Sequence, residues 1–275
     1  MPAPVELAGK PVIITGASSG IGRATALACA HAGMPVALFA RREDRLVELR
    51  DRIERSGGRA LAIAGDVAHP HANRDLLERA SEEFGPIYSV IANAGYGLEH
   101  ESSTMPIEAI RAMFETNFFG SMHLVQPAIE RFREQKSGHA IMVSSCLSKI
   151  AMPYYASYCA TKGAQDMFCR SMRLELRAEN IHVSSIHPIG TKTELFETAD
   201  KLTEGGLRIS STKESPFMQP AERVANAIVR CLRKPKGEVW TSFPTRLALA
   251  GSVVFPRITD AVLSRAMHRR LKRAD

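Results

Sequence analysis

The sequence predicts an α/β fold built on a doubly wound parallel sheet. Two observations carry the prediction. Over the first two thirds of the chain, short apolar runs alternate with longer segments of helical periodicity. The runs are apolar at consecutive positions, which is the pattern of strands buried on both faces. Such strands, joined by helices in right-handed crossovers, give a sheet covered on both sides.

Taken in order, Val12–Thr15 is the first strand and meets Gly16. A helix follows from Ile21 to His31, then a strand over Val36–Phe39 and a charged helix over Glu43–Arg55. Ala60–Ala64 is the third strand and His71–Phe84 the third helix. Ile87–Ala92 is the fourth strand, Ile107–Arg133 a long helical stretch, and Ala140–Val143 the fifth strand. Tyr155–Arg177 is again helical and Val183–Ile186 strand-like. The segment about 191–219 is rich in Thr, Ser, Gly and charge, and is expected to form a lid over a substrate cleft. Pro220–Arg233 is a helix with proline at its start, and Gly237–Thr241 a last strand. No internal repeat or linker divides the chain, so residues 1–275 read as one domain with a basic C-terminal extension about 242–275.

Composition narrows the class. Of 275 residues, 45 % are hydrophobic and 24 % charged, as in soluble globular proteins. The five cysteines are scattered with no CxxC pair, which argues against a disulfide framework or zinc site and for a cytoplasmic setting. The start, Met1 to Leu7, has neither the basic nor the apolar region of a signal peptide. The net charge of +7 is concentrated at the end, where Arg257, Arg265, Arg269, Arg270, Lys272 and Arg273 face only Asp260 and Asp275. No zinc-finger spacing, RNP motif or aromatic-interleaved basic run accompanies them, so nucleic acid is not the expected partner. Ile258, Ala261, Val262, Ala266, Met267 and Leu271 fall near one helical face. That helix either docks on its own domain or a neighbouring subunit, or makes peripheral contact with an anionic membrane.

The chemistry begins at Thr15-Gly16-Ala17-Ser18-Ser19-Gly20-Ile21-Gly22, between a strand and a helix. Glycines at 16, 20 and 22 permit a tight turn, and the helix start beyond them offers N–H groups and a positive dipole end to a pyrophosphate. After the second strand, where an NAD site places an acid, this chain has Arg41 and Arg42. Arginine's planar fork suits a 2′-phosphate, so NADP(H) is expected over NAD(H); Arg42 either assists or simply begins a solvated helix. Asp66-Val67 after the third strand either bonds the adenine amino group or caps the next helix. Asn93-Ala94-Gly95 after the fourth lets backbone pass close to the cofactor.

Tyr158 and Lys162 are four apart in a helix and share a face. A lysine charge beside the phenol would lower its pKa and fit it to exchange a proton with an alcohol. Ser145 lies directly after the fifth strand and Asn117 within an apolar helical stretch, both aimed at the edge where the nucleotide turn points.

With TGASSGIG, NAG, the Asn of TNFFG, the Ser pair and YxxxK in this order, the chain resembles the short-chain dehydrogenase/reductase family over roughly residues 10–195. The resemblance implies a Rossmann-type sheet of strand order 3-2-1-4-5-6-7, direct hydride transfer without metal, and homodimers or homotetramers. It implies Tyr158 as acid/base, Lys162 lowering its pKa and bonding the nicotinamide ribose, Ser145 holding the substrate oxygen, and Asn117 anchoring a proton-relay water. In Pro188-Ile189-Gly190-Thr191-Lys192-Thr193, Ile189 stands where the family often has glycine. Its backbone is expected to bond the carboxamide, with Pro188, Thr191 and Thr193 at the cofactor.

Tyr96, Leu147, Tyr154, Tyr155, Leu195 and Phe196 are the expected substrate contacts, and their character points to a lipophilic carbonyl or secondary alcohol. A 3-oxoacyl-thioester reductase is the alternative enzyme. A non-catalytic NADP(H)-sensing regulator is the alternative of another class, disfavoured because a sensor has no need of Ser145, Tyr158 and Lys162.

Overall fold

The computed structural model describes residues 4–194 and 218–274, with side chains to residue 268. Seven parallel strands form one sheet in the order β3-β2-β1-β4-β5-β6-β7, as the resemblance implied. They are β1 Val12–Thr15, β2 Val36–Ala40, β3 Ala60–Ala64, β4 Ser89–Ala92, β5 Gly138–Val143, β6 Ile181–His187 and β7 Glu238–Trp240. β1, β2, β4 and β5 are buried along their whole length, as central strands of a sheet covered on both faces.

Helices cover both faces. On one face α1 (Gly20–His31), α2 (Glu43–Arg55) and α7 (Ala221–Arg233) close a core around Ile14, Leu38, Leu49 and Ile228. On the other, α3 (Pro70–Phe84), α5 (Gly120–Gln135) and α6 (Ala156–Glu175) enclose Phe39, Leu76, Leu124 and Phe132. The strand order reverses between β1 and β4, and the crevice outside their C-terminal ends is where an open α/β sheet receives a ligand.

Three differences from the sequence reading have physical causes. The long helical stretch is α4 (Ile107–Phe114), a π-helical turn Glu115–Phe119, and α5. That wider turn carries Asn117, which is completely buried. β5 and β6 run longer than their apolar runs because their polar residues bond within the sheet: His139 Nε2 lies 2.7 Å from Ser184 Oγ, and Ser185 Oγ 3.0 Å from His187 Nε2. After β7 come two further helices, α8 (Phe243–Val254) and α9 (Pro256–Ala274). α9 leans on α8, and α8 on the turn Cys146–Lys149. Ile258 and Val262 are exposed while Met267 is half-buried, so α9 does not cover this apolar face on its own domain.

Candidate active site

The crevice is a cleft of about 300 Å³ lined from Gly16 through Ile21 by the glycine turn, and by Arg41, Arg42, Asp66, Asn93–Tyr96, Tyr158, Lys162, Thr193 and Glu194. At its base the first and fourth strands are stitched together. Asn93 and Ala94 N–H donate to Thr15 Oγ1 (3.0 and 3.1 Å), and Asn93 Nδ2 donates to the Thr15 carbonyl (2.9 Å). The glycines serve this stitching as well as a ligand. Gly16 has φ +65°, and a Cβ there would lie 2.9 Å from Ala94 Cα. A Cβ on Gly22 would lie 2.2 Å from the Gly16 carbonyl oxygen and 2.6 Å from Asn93 Nδ2. The first turn of α1 holds no acid, and no side chain caps it, so its N–H groups face the cleft ready for an anion.

The second strand delivers the two arginines differently. Arg41 is 76 % exposed, and among the described residues its one ion pair is a 3.8 Å contact with Asp66. Arg42 is drawn inward: Nη2 donates to Ser18 and Ser19 Oγ (3.0 and 2.9 Å) and Nη1 to Glu194 Oε2 (2.7 Å). Arg45 donates to the other Glu194 oxygen. Glu194 thus ties the segment that follows β6 to α2. Asp66 Oδ1 accepts from Ala68 N–H (3.0 Å), a turn that leads into α3 and leaves Oδ2 toward Arg41. Val67 forms the adjoining wall and packs against Gly120.

At the other end α6 brings Tyr158 and Lys162 to the cleft. Burial, the larger influence, pushes the Tyr158 phenol above the ordinary tyrosine range, and the neighbouring Ser145 offsets this in part. Lys162, which the resemblance implies would lower it, is engaged elsewhere here. The ammonium sits 5.9 Å from the ring centroid and donates instead to the Val143 carbonyl (2.8 Å) and Gln165 Oε1 (3.2 Å). Burial brings Lys162 itself down to about 8. Asn117 is bound to protein on both ends of its amide: Oδ1 accepts from Tyr96 N–H (2.9 Å), and Nδ2 donates to the Tyr96 carbonyl (2.8 Å) and Thr161 Oγ1 (3.0 Å). Its side chain shapes the Tyr96 segment, while its carbonyl accepts from Ser121 Oγ and Gln165 Nε2 (2.8 and 3.4 Å).

A match to the short chain dehydrogenase family covers residues 10–203, most of the chain and all of the motifs just placed. The chain belongs to this family. An uncharacterized oxidoreductase of Listeria monocytogenes is 34 % identical over 84 % of this chain and 94 % of its own length. A 3-dehydrosphinganine reductase of Danio rerio is 28 % identical over 83 % of this chain and 70 % of its own. Among solved structures, a short chain dehydrogenase/reductase from Burkholderia phymatum in complex with NAD superimposes with TM-score 0.82 at 21 % identity, covering 90 % of this chain and 93 % of that one. An alcohol dehydrogenase from Thermococcus sibiricus complexed with 5-hydroxy-NADP gives 0.72 at 25 %, covering 84 % and 95 %. The protein is thus an oxidoreductase of the short-chain dehydrogenase type, a family that works with a nicotinamide cofactor on small molecules.

Within this short-chain dehydrogenase the remaining predicted residues fall as follows. Ser145 Oγ accepts from Leu147 N–H (3.1 Å) and so opens the turn Cys146–Lys149 beside the cleft. Tyr154 has a left-handed φ of +65° and its carbonyl accepts from His100 N–H (2.9 Å). Tyr155 donates to Glu99 Oε2 (3.0 Å), which turns its hydroxyl toward the loop after β4. Ile189 N–H donates to Thr241 Oγ1 (3.3 Å) and its carbonyl accepts from Thr191 Oγ1 (2.8 Å), so here both backbone groups expected at the carboxamide bond to protein. Pro188 accepts at its carbonyl from Cys146 N–H (2.9 Å), tying the β6 end to the Ser145 turn. Thr193 packs against Gly20. Leu195 and Phe196, with most of the expected lid, lie outside the described residues.

The sequence reading missed two positions. Gln165, completely buried, links Lys162 to Asn117 and Ser121; its place three residues after Lys162 in α6 was the available signal. His187 lies beneath the turn that Ser145 opens, with Nδ1 3.1 Å from the Ser145 carbonyl and Nε2 3.4 Å from Asp166. Trp240 stacks on its ring at 4.5 Å, and Lys149 pairs with Asp166 at 2.6 Å and Glu238 at 3.6 Å. Burial would raise Asp166, but His187 and Lys149 together hold it down at about 2. Nothing in the sequence joins residues 149, 166, 187 and 238; four separate elements bring them together.

Proposed function

We propose that this short-chain dehydrogenase is an NADP(H)-preferring oxidoreductase acting on a lipophilic carbonyl or secondary alcohol, with Tyr158 as its acid/base. The observation that carries the reading is the polarity of one cleft. The Tyr158 and Lys162 pair stands at one end, Arg41 and Arg42 at the other, and the glycine turn between them. A dinucleotide phosphate fits this layout. Gly16 through Gly22 and the uncapped start of α1 would hold the pyrophosphate. Arg41, exposed and weakly engaged, would reach a 2′-phosphate with Arg42 and Ser18 behind it, and the residues that follow β2 directly are these arginines and not an acid that would favour a free ribose 2′-OH. The nicotinamide, when bound, supplies or accepts the hydride.

The chain's own residues handle the proton. Ser145 and Tyr158, neighbours at the same end of the cleft, would form a two-hydroxyl cradle for the substrate oxygen. A buried, neutral phenol is a proton donor, the state that carbonyl reduction needs; in the reverse direction it receives the alcohol proton. Lys162, with its ammonium desolvated, is poised to serve as the charge next in line, and Gln165, Asn117 and Thr161 hold the α6 face in register. Leu98, Met105 and Met113 form a small buried apolar cluster against which Tyr96 and Tyr158 pack, and this apolar setting supports a lipophilic substrate. So does the likeness to a relative named as a 3-dehydrosphinganine reductase.

The test pairs binding with turnover. Tyr158→Phe should lower kcat by about 10²- to 10⁴-fold on any carbonyl that the protein reduces with NADPH, while leaving the NADPH Kd within about twofold. Unchanged turnover would remove Tyr158 from the chemistry. Equal affinity for NADH and NADPH would remove the cofactor preference. Binding of NADPH without turnover across a broad carbonyl and alcohol panel would favour the sensing role.

A further inference from the structure

We propose that α8 and α9 seat the protein on the surface of an anionic lipid bilayer. Twelve large apolar side chains are exposed among the described residues, and seven of them fall within residues 243–262: Phe243, Leu247, Val253, Val254, Phe255, Ile258 and Val262. Each is at least 58 % exposed. A cluster of that kind marks an interaction surface, whereas scattered exposed apolar residues do not.

The shape of the exposure favours a fluid phase over a second protein. No residue of α8 is buried. Phe243, Leu247 and Val254 form one stripe at helical spacing, while Val253 projects from another side of the same helix. A protein partner would cover one side of such a helix, and an acyl-chain layer covers several at once. The two helices are bent by 118° at their junction, so Val253, Val254 and Phe255 form an apolar corner. Neither helix is long and apolar enough to cross a membrane, which fits helices lying in the interface.

Charge supplies the second argument. α8 carries one charged residue, Arg246, which is exposed. Arg257 and Arg265, also exposed, flank the apolar corner on α9, and the sequence continues through Arg269, Arg270, Lys272 and Arg273 with Asp260 the one acid in the helix. An apolar belt rimmed by guanidinium groups is complementary to acyl chains beneath anionic headgroups. A face between two copies of this chain would bring these arginines toward one another. The seat also adjoins the chemistry: α8 rests on the turn Cys146–Lys149 that Ser145 opens, so a bilayer held there lies at the substrate end of the cleft.

The experiment uses the full chain and vesicles of phosphatidylcholine, alone or with about one third phosphatidylglycerol. We expect co-sedimentation to be at least about tenfold stronger with the anionic vesicles and to fall as salt rises. Replacing Val254, Phe255 and Ile258 together by Ser should lower it about tenfold, and Arg257→Glu with Arg265→Glu should lower it with anionic vesicles specifically. All five side chains are exposed, so folding is checked by an unchanged thermal transition and unchanged NADPH binding. These controls also separate failure here from failure of the proposed function, since sedimentation needs no turnover. The proposal is overturned if neutral and anionic vesicles bind equally or if neither variant changes binding. It is likewise overturned if the apolar variant dissociates an oligomer in vesicle-free solution while vesicles fail to sediment the parent protein, which would make this face an interface between copies.

Discussion

Glu194→Gln is the most discriminating single change at the cofactor end of the cleft. Arg42 donates to Ser18, Ser19 and Glu194 at once, and Arg45 to the second Glu194 oxygen. A 2′-phosphate that recruits Arg42 must compete with this carboxylate. The side chains are 35–41 % exposed, so the contact is screened and worth about 0.2–1 kcal/mol per pair. Gln keeps the length and a hydrogen-bond acceptor but removes the charge. Releasing about 0.5–1 kcal/mol of competition should tighten NADPH by about two- to fivefold. NADH, which has no 2′-phosphate, should change by less than about twofold. Titration of nicotinamide fluorescence at low and at about 1 M salt measures both, and the NADPH gain should shrink at high salt, where the Debye length is about 3 Å. Weaker NADPH binding in the variant would mean that Glu194 braces Arg42 for the phosphate. An equal shift for both cofactors would mean that it acts on the cleft generally. Either result refutes the competition.

Three further outcomes follow from the geometry. Gly22→Ala should abolish cofactor binding and destabilise the fold by about 1–3 kcal/mol, read by urea titration, because the new Cβ would sit 2.2 Å from the Gly16 carbonyl oxygen and 2.6 Å from Asn93 Nδ2. Gln165→Leu should remove the amide between Lys162 and Asn117, lowering kcat more than it raises KM; a loss confined to KM would show that Gln165 serves binding alone. Burial lowers His139 from 6.5 to about 3, so the unfolded chain takes up this proton first as pH falls. The associated stability is complete above pH 6.5 and declines at about 1.4 kcal/mol per pH unit toward pH 3, or about 2 kcal/mol between pH 6.5 and 5. Urea unfolding at those two pH values should show this loss, and His139→Gln should reduce it.

Local chemistry made much of this protein legible in one dimension. Val12–Thr15 and Val36–Ala40 are buried on both faces because they are apolar throughout, and a parallel sheet follows from that. The glycine turn, Arg41 and Arg42, and the Tyr158 and Lys162 pair were readable because each lies within a few residues on one element, where spacing alone sets direction. Asn117 was visible as a lone polar residue in an apolar stretch, but not the π-helical turn that buries it, nor its bonds to Tyr96 and Thr161 on other segments. The state of Tyr158 and Lys162 was a tertiary matter too. Depth of burial, together with the Val143 carbonyl and Gln165, decides where the ammonium points and keeps the phenol protonated, and burial is a property of the packed molecule. Glu194 on Arg42 and His187 under Ser145 join residues far apart in the chain. Spacing along a chain specifies which side chains share an element; only the folding of seven strands into one sheet specifies which elements meet.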